Sequence, residues 1–474
     1  MASKKTVNAE NLTTLGAPRL AAILLDLAAE QAAVKRRLRL ELAGQEGGEQ
    51  IAAEITKRIT SLRNAKSYVH WQRRPEFVRD LDMTRSMIVE NVAAARPDLA
   101  LDLMWRFMEL AKAVFARVDD SRGTISAVFR AACDDLGALA VKAKPSPDGL
   151  AERVFQAVTQ NDYGEYDQVI AAIFPALGKA GSTALRRKLQ PLLAQRSAAS
   201  GPMGGDVGIC RALADLADAE GDVDAYIAAL PQDLAKLSFY AAQIGQRLVA
   251  AGRAAEAIRY LEAARPQPRA AGRMADAELY LLDVDTPDEE WQAAYIDAVA
   301  ATGQPEEAQR LRWSGFEERL SVAFLRTYLR ALPDFDDVIA SDRAMELALK
   351  YPSFPMALTF FHEWPEPRYA ARLVIERHGE IDGNMYYLLT PVAQWLENTQ
   401  PLAATLLRRA LINDTLEGSK STRYKHAAKH LAECASLAPL IEHFGQFESH
   451  AAYEKRLRES HSRKTSFWLG AGSR

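Results

Sequence analysis

The stretch from Phe239 to Pro266 carries the clearest hydrophobic pattern in the chain. Apolar residues recur there at three- and four-residue spacing in two runs, which is the periodicity of helices that bury one face. Gly252 separates the runs and Pro266 follows the second, as is typical of helix ends, so the pattern predicts a helical hairpin. The predicted buried stripe contains Leu237, Tyr240, Ala241, Ile244 and Leu248 in the first helix and Ala254, Ala257, Ile258 and Leu261 in the second.

Similar hairpins recur along the chain at irregular intervals. A predicted helix over 288–302 is followed by Gly303 and Pro305, after which a second helix is expected. Gly252 and Gly303 lie 51 residues apart, which is longer than a tetratricopeptide period. Because one hairpin cannot bury its apolar face alone, neighbours must stack on it. We therefore predict an all-α fold, an irregular α-solenoid of antiparallel helical hairpins of tetratricopeptide or HEAT type.

The remaining pattern predicts further helices and two breaks. Helices are expected over 18–42, 49–64, 81–95, 98–118 and 316–332, and the helix over 98–118 is apolar almost all round, so it should be central in the N-terminal half. Proline and glycine cluster at 142–149 and 197–205. These breaks predict three parts: an N-terminal helical lobe with a basic face at 1–141, a linker-bounded helical segment at 142–205, and a tetratricopeptide-like repeat lobe at 206–474.

Composition narrows the class of protein without indicating an activity. Apolar residues make up 48% of the chain, yet no apolar run approaches the ~20 residues that span a bilayer. The N-terminus lacks the apolar segment of a secretory signal. Cys133, Cys210 and Cys434 lie far apart, which argues against a disulfide framework. We therefore expect a cytoplasmic protein that does not enter a membrane.

The net charge of −3 hides an uneven distribution. Residues 1–85 and 404–474 each carry a net charge of +5, whereas the segment between them carries −13. Such ends could bind an anionic partner, or their long cationic side chains could only cover apolar surface. The two candidate basic faces are 31–79 and 420–464. In the first, the candidate anion- or partner-binding residues are Arg36, Arg37, Arg39, Lys57, Arg58, Arg63, Trp71, Arg73 and Arg74.

Two groups of residues raise the question of a metal. His426, His430 and Cys434 follow one another at four-residue spacing on a predicted helix, and imidazole and thiolate are zinc ligands. They could equally be packed or solvated helix residues. The turn at Asp119 and Asp120 is acidic, but it lacks the full oxygen spacing of a calcium loop, so capping of the helix that begins near Ile125 is the simpler interpretation. We expect no cofactor, with zinc as the one alternative.

Sequence motifs of common enzymes do not occur in the chain. It contains no Gly-x-Ser-x-Gly, no His-Glu-x-x-His, no dinucleotide-binding glycine fingerprint and no phosphate-binding loop. Catalytic groups can also converge from distant segments, so the absence of motifs leaves enzymatic activity open. No catalytic residue is predicted, and a protein without enzymatic activity is favoured.

Several segments resemble known protein families. Lys35–Leu42, Trp71-Gln72-Arg73-Arg74, Trp105-Arg106-Phe107-Met108 and the turn 117–123 together resemble a widespread, mainly alphaproteobacterial family of all-helical repeat proteins whose function is uncharacterised. The C-terminal segments at Arg423-Tyr424 and 461–468 are similar to the helical region that follows the finger in SWIM zinc-finger proteins, although this chain lacks the Cys-x-Cys and Cys-x-His of that finger. The resemblance implies helical repeats in a bacterial protein and brings no catalytic residues.

These observations favour one function and leave one alternative. The favoured function is a non-enzymatic scaffold that binds another protein on the solenoid surface. The alternative is a nucleic-acid-binding protein that uses the basic faces at 31–79 and 420–464. Salt dependence of binding separates them, because neutralising phosphates releases counterions.

Overall fold

The structure is a computed structural model that describes residues 7–31, 34–35, 37–39, 42, 48–197, 207–266 and 286–471. Within these ranges the chain is built from α-helices joined by short turns. The only β-type pairing in the described residues is an isolated bridge between Val69 and Val118. The predicted all-α fold class is confirmed.

The chain forms two compact units, Met1–Tyr240 and Ala241–Arg474. In the first unit the helices are α1 (Ala9–Thr13), α2 (Ala17–Glu30), α3 (Gly48–Asn64), α4 (Arg74–Met87), α5 (Pro97–Met108), α6 (Ala111–Phe115), α7 (Thr124–Ala143), α8 (Pro147–Thr159), α9 (Val169–Ser197), α10 (Val207–Glu220), α11 (Val223–Ala229) and α12 (Gln232–Ala235). After α4 the helix continues through a π-helical segment, Ile88–Val92, to Ala93–Ala95.

The core of the first unit surrounds α5. Its side chains are buried on nearly every face, including Leu103, Trp105 and Phe107, because apolar residues surround the helix axis instead of forming one stripe. The central position predicted for this helix is correct, but the continuous helix over 98–118 is not. Helix α5 ends at Met108. The main-chain N–H groups of Glu109 and Leu110 then donate to the carbonyl oxygens of Trp105 and Phe107 before α6 begins.

The acidic turn before α7 caps that helix, as predicted. The carboxylate of Asp120 accepts hydrogen bonds from the main-chain N–H groups of Ile125 (2.9 Å) and Ser126 (2.8 Å). It therefore satisfies donors that the first turn of a helix leaves without an intrahelical partner. Asp119 is engaged separately, because it accepts from the N–H of Ser121 and pairs with Arg74.

In the second unit most helices pack on a neighbour in sequence, whereas the last helix, Thr465–Ala471, packs on Tyr424–Leu437. From Ser238 onward the helices are α13 (Ser238–Ala250), α14 (Ala254–Ala263), α15 (Thr286–Ala301), α16 (Pro305–Arg319), α17 (Val322–Arg330), α18 (Asp336–Leu349), α19 (Phe354–Glu363), α20 (Pro367–Glu376), α21 (Tyr386–Leu396), α22 (Pro401–Glu417), α23 (Tyr424–Leu437), α24 (His450–His461) and α25 (Thr465–Ala471). This sequential packing is the solenoid arrangement that the hairpin pattern predicts.

The hairpin α13–α14 forms as the sequence predicts. Gly252 adopts φ 74° in the turn, a left-handed conformation that favours glycine. Ile244, Leu248 and Leu261 are fully buried along the predicted stripe. Leu237 is an exception, because it precedes α13 and is half-exposed, so its assignment to the stripe is wrong.

A second correction concerns the helix predicted over 316–332. Leu320 adopts a left-handed conformation with φ 54°, which ends α16, and Ser321 caps the new helix α17 through its side chain. Gly315 makes the close crossing possible, since a Cβ there would lie 2.7 Å from the Phe324 ring. Two helices, α16 and α17, therefore take the place of the single long helix that was expected.

The predicted division at 142–149 and 197–205 stays a prediction. Lys144 ends α7 in a left-handed conformation, and Pro147 begins α8. Helix α9, which is kinked at Gly178, packs against both α7 and α8, so helices on both sides of 142–149 share one core. Residues 198–206 lie outside the described part of the chain.

Candidate functional site

Four cations of the first basic face pair with carboxylates of the same unit. Arg63 lies 3.0 Å from Glu109, Arg74 lies 2.9 Å from Asp119, and Lys57 lies 2.6 Å from Glu54. Arg58 forms an ion pair with the buried Asp80. Such pairs leave less positive charge available to an external anion.

The other predicted residues of this face are placed differently. Arg37 and Arg39 are exposed, and Arg39 lines a cavity of about 270 Å³ together with Arg58 and Asp80. Trp71 is 65% exposed, and Arg73 beside it is also exposed. Arg36 lies outside the described residues. Lys57, Arg58, Arg63 and Arg74 thus form ion pairs within the unit. Anion binding by the predicted residues stays a prediction.

The second basic face, 420–464, has the same character. Lys420 lies 2.8 Å from Asp414, Arg456 lies 3.1 Å from Glu448, and Arg458 lies 2.6 Å from Glu454. Lys464 instead donates to main-chain and hydroxyl oxygens of neighbouring helices. These contacts show that many of the cations join secondary-structure elements to one another.

The three predicted zinc ligands lie on α23 with different surroundings. His426 is exposed, whereas the Nδ1 of His430 lies 2.9 Å from a Glu433 carboxylate oxygen. Cys434 is fully buried with its sulfur 3.9 Å from the Thr405 carbonyl oxygen, and burial raises the pKa of its thiol to about 12. Nowhere in the described ranges do three or more His, Cys, Asp or Glu side chains group as a metal site would require. Zinc binding therefore stays a prediction without a ligand cluster to support it.

A groove in the second unit was not predicted. It consists of two adjacent cavities, of about 280 Å³ and 670 Å³, that share Glu289 and Ala323 in their walls. Most lining residues come from α15 and α17 in the first cavity and from α17 and α19 in the second, and α16 contributes Arg312 and Arg319. Helices α15, α17 and α19 are the first helices of three consecutive hairpins. We call the two cavities together the hairpin groove.

The hairpin groove has an apolar floor and a rim with both signs of charge. Ile296 and Phe324 lie buried beneath the first cavity, and Phe360 lies buried beneath the second. On the rim, Glu290 is exposed in the first cavity and Arg326 is exposed in the second. An apolar floor with a few polar groups around it is the usual composition of a binding groove.

Local hydrogen bonds fix the shared wall of the hairpin groove. The hydroxyl of Ser321 donates to the Glu289 carboxylate and also accepts from the main-chain N–H of Phe324 (3.3 Å). The guanidinium of Arg326 lies 5.7 Å from the centre of the Trp364 ring. Because Ser321 joins α15 to the first turn of α17, the position of Ala323 between the cavities is well defined.

Comparison with known sequences gives one family. The sequence profile of a family of unknown function, DUF6880, matches residues 2–470. The chain belongs to DUF6880. The match spans nearly the whole of this DUF6880 chain and supports the expectation of an uncharacterised family, and the family description assigns no activity. No curated protein matches the DUF6880 chain.

Comparison with solved structures gives a remote similarity. The DUF6880 chain is similar to a solved circular tandem repeat protein described as having a novel repeat topology and enhanced subunit contact surfaces. The two share 16% identity over 94% of this chain and 100% of that one, with a TM-score of 0.18. A TM-score this low carries no argument, so the fold assignment rests on the helices of the DUF6880 chain themselves.

The sequence contained one signal for the hairpin groove. Serine is a preferred N-cap residue, so Ser321 could have marked the start of α17. The signal was hidden because the preceding left-handed residue is Leu320 instead of the glycine usual at that place.

Among helices described in the DUF6880 chain, none combines the length and apolarity needed to cross a membrane.

Proposed function

We propose that the chain is a non-enzymatic, helical-repeat scaffold that binds an extended segment of a partner protein in the hairpin groove. The observation that carries the proposal is that two cavities, lined mainly by the first helices of three consecutive hairpins, share Glu289 and Ala323 in their walls. Repeat proteins commonly bind partners on surfaces formed by successive repeats. A polypeptide that crosses the shared wall at Ala323 would contact both cavities.

The chemistry of the groove suits a polypeptide better than a nucleic acid. Its floor is apolar, and its rim combines Glu290, Asp297 and Glu363 with arginines. Acidic side chains on the rim would repel phosphates, whereas a polypeptide can match both signs of charge and fill the apolar floor. Interfaces between proteins usually have this combination of an apolar centre and a polar rim.

Nucleic-acid binding through 31–79 and 420–464 is the second candidate. It is supported by the net charge of +5 at each end of the chain and by the exposed Trp71 beside Arg73. The internal ion pairs of Arg63, Arg74 and Lys420 count against it, because each must be broken before that cation can contact a phosphate.

In this proposal the scaffold works in the bacterial cytoplasm. Cys133 and Cys434 are free and buried, which is compatible with a reducing compartment. The proposed parts remain 1–141, 142–205 and 206–474, with the hairpin groove in the last of them.

Affinity purification from the native cell tests the proposal. The bait is the full chain as wild type, as Ala323→Gln, which places a longer side chain in the shared wall, or as the control Ala435→Gln. Ala435 is an equally exposed helical alanine on α23 outside the groove. Each bait is used at two salt concentrations, with and without nuclease.

We expect one protein to be recovered with the wild type and with Ala435→Gln, regardless of salt and nuclease, and to be lost with Ala323→Gln. Recovery of the same protein with all three baits would refute the groove as its binding site. Loss of the bound material with nuclease or added salt would instead support the nucleic-acid alternative, because phosphate contacts are strongly salt-dependent.

A further inference from the structure

Another cavity in the first unit differs in composition from the hairpin groove. It has a volume of about 340 Å³ and lies between the end of α5, the end of α8 and the loop before α9. Its floor is buried and consists of Trp105, Ala157, Glu165 and Tyr166. Exposed polar residues surround the floor, so the cavity opens to solvent. We call it the Trp105 cleft.

The cations at the rim of the Trp105 cleft are already paired with carboxylates. Lys112 lies 2.9 Å from Asp162. Arg153 lies 2.9 Å from Asp102 and 3.6 Å from Glu109. The positive charges that the chain supplies to this cleft are therefore balanced at the rim.

Glu165, on the floor, stands apart from these pairs. It is only 7% exposed, and one carboxylate oxygen accepts a hydrogen bond from the main-chain N–H of Tyr163 (3.0 Å). No ion pair among the described residues includes Glu165. Burial raises the pKa of this carboxyl, and the neighbouring charges of Asp162 and Asp167 raise it further. The ammonium of Lys112, which is paired with Asp162, interacts with Glu165 electrostatically but forms no ion pair with it. A buried carboxylate with no cation in contact is unfavourable, so the site gains free energy when a cation enters it.

Two aromatic rings complete the floor beside this carboxylate. The ring centres of Trp105 and Tyr166 are 6.3 Å apart, with their planes tilted by 31°. Aromatic faces attract organic cations, because the ring quadrupole is negative there and the alkyl groups of the cation also bury apolar area. A metal ion would need several oxygen ligands, and the described residues do not group that way here.

We propose that the Trp105 cleft binds a small organic ammonium ion, with its positive charge against Glu165 and its alkyl groups against Trp105 and Tyr166. A cavity of about 340 Å³ is large enough for such an ion and too small for a folded partner. The inference is independent of the scaffold proposal, because the cleft lies in the first unit and shares no residue with the hairpin groove.

Isothermal titration of the full chain with choline at neutral pH tests this proposal. The matched neutral probe is 3,3-dimethylbutan-1-ol, which has the shape of choline without its charge. We expect saturable binding of choline with one site per chain, and binding of the neutral alcohol at least about tenfold weaker. Glu165→Gln should weaken choline binding by about tenfold or more, since it removes the buried charge and keeps the side-chain size.

The control variant is Glu152→Gln. Glu152 lies on α8 and pairs with Lys188 at 2.6 Å, but it does not line the cleft. It should bind choline like the wild type, and circular dichroism should give the same helix content for both variants. Tyr166→Leu, which removes one ring and keeps an apolar side chain, should also weaken choline binding.

A further arm of the titration distinguishes the source of the ammonium group. The tripeptide acetyl-Ala-Lys-Ala-amide carries the same charge on a polypeptide side chain. Tighter binding of choline would indicate a free small cation, and tighter binding of the tripeptide would indicate a lysine of another protein. Absence of saturable binding by either cation, equal binding of the neutral alcohol, or unchanged affinity of Glu165→Gln would each overturn the proposal.

Discussion

Replacement of Gly137 by alanine tests how closely the helices of the first unit pack. Gly137 lies on α7 where this helix crosses α9. A Cβ at this position would lie 2.1 Å from the carbonyl oxygen of Ala172 and 2.7 Å from the carbonyl carbon. Ordinary contact begins at 3.4 Å, so the oxygen would have to move by about 1.3 Å. Because the obstructing atoms are main chain, no change of rotamer can relieve the contact.

The size of the effect follows from two opposing terms. Overpacking of a core costs about 1 to 3 kcal/mol, and a clash with main chain belongs at the upper end of that range. Alanine is favoured over glycine inside a helix by up to ~1 kcal/mol. The free energy of unfolding of Gly137→Ala should therefore fall by about 2 kcal/mol. For a unit of roughly 240 residues this corresponds to a decrease in Tm of about 4 to 8 °C.

Scanning calorimetry of the full chain measures this change, with Gly208→Ala as the control. Gly208 lies near the start of α10, and a Cβ there would meet no heavy atom within 4 Å. The control should therefore keep or slightly raise Tm, by up to about 4 °C, through the helix preference alone. If Gly137→Ala behaved like the control, the crossing of α7 and α9 described above would be wrong.

Three further changes test other features. Glu165→Gln should raise the free energy of unfolding at pH 7 and leave it nearly unchanged at acid pH. Burial raises the folded-state pKa of Glu165 above its unfolded-state pKa. The wild type therefore loses stability as the pH rises through the interval between these two pKa values. Urea unfolding at acid pH and at pH 7 measures the difference. Arg408→Met should lower the free energy of unfolding by about 2 to 3 kcal/mol, measured by thermal unfolding. It leaves Glu397 and Glu433 without the buried guanidinium that lies 2.6 Å and 2.9 Å from them. Neutralising both acids in the same variant should restore part of the lost stability. Asp120→Ala should cost about 1 kcal/mol in urea unfolding through loss of the α7 cap, whereas equal stability would show that the cap is dispensable.

The hairpins were predictable wherever glycine marks the turn. Gly252 and Gly303 both adopt positive φ, of 74° and 82°, and each separates two helices whose boundaries the sequence predicts closely. At these positions local preference and tertiary structure agree. The break at Leu320 was missed because a branched side chain in a left-handed conformation contradicts local preference. At this break the Phe324 ring packs against Gly315. A hydrophobic pattern does not show such a contact between two helices.

The charged surfaces were less predictable than the helices. A sequence shows how many cations a segment carries, but it does not show which carboxylate each one meets. Arg58 pairs with Asp80, 22 residues away, and Arg63 pairs with Glu109, 46 residues away. Asp80 lies on α4 and Glu109 directly follows α5, and only the tertiary fold brings both acids to α3. The net charge of 31–79 therefore overstated the positive charge that is free to bind a partner.

The two proposed binding sites share a structural origin that explains why the hydrophobic pattern did not indicate them. Periodicity identifies the faces that helices bury against each other, and those faces are occupied by packing. The hairpin groove is instead organised by the turn at Ser321, and the Trp105 cleft by the loop that carries Glu165. In sequence, Glu165 between Gly164 and Tyr166 carries no sign of burial. Glu165 is buried because Tyr166 packs beside Trp105, 61 residues earlier in the chain. In a helical-repeat protein the stacked faces specify the fold, and the chain segments between helices are where binding chemistry can differ from one family member to another.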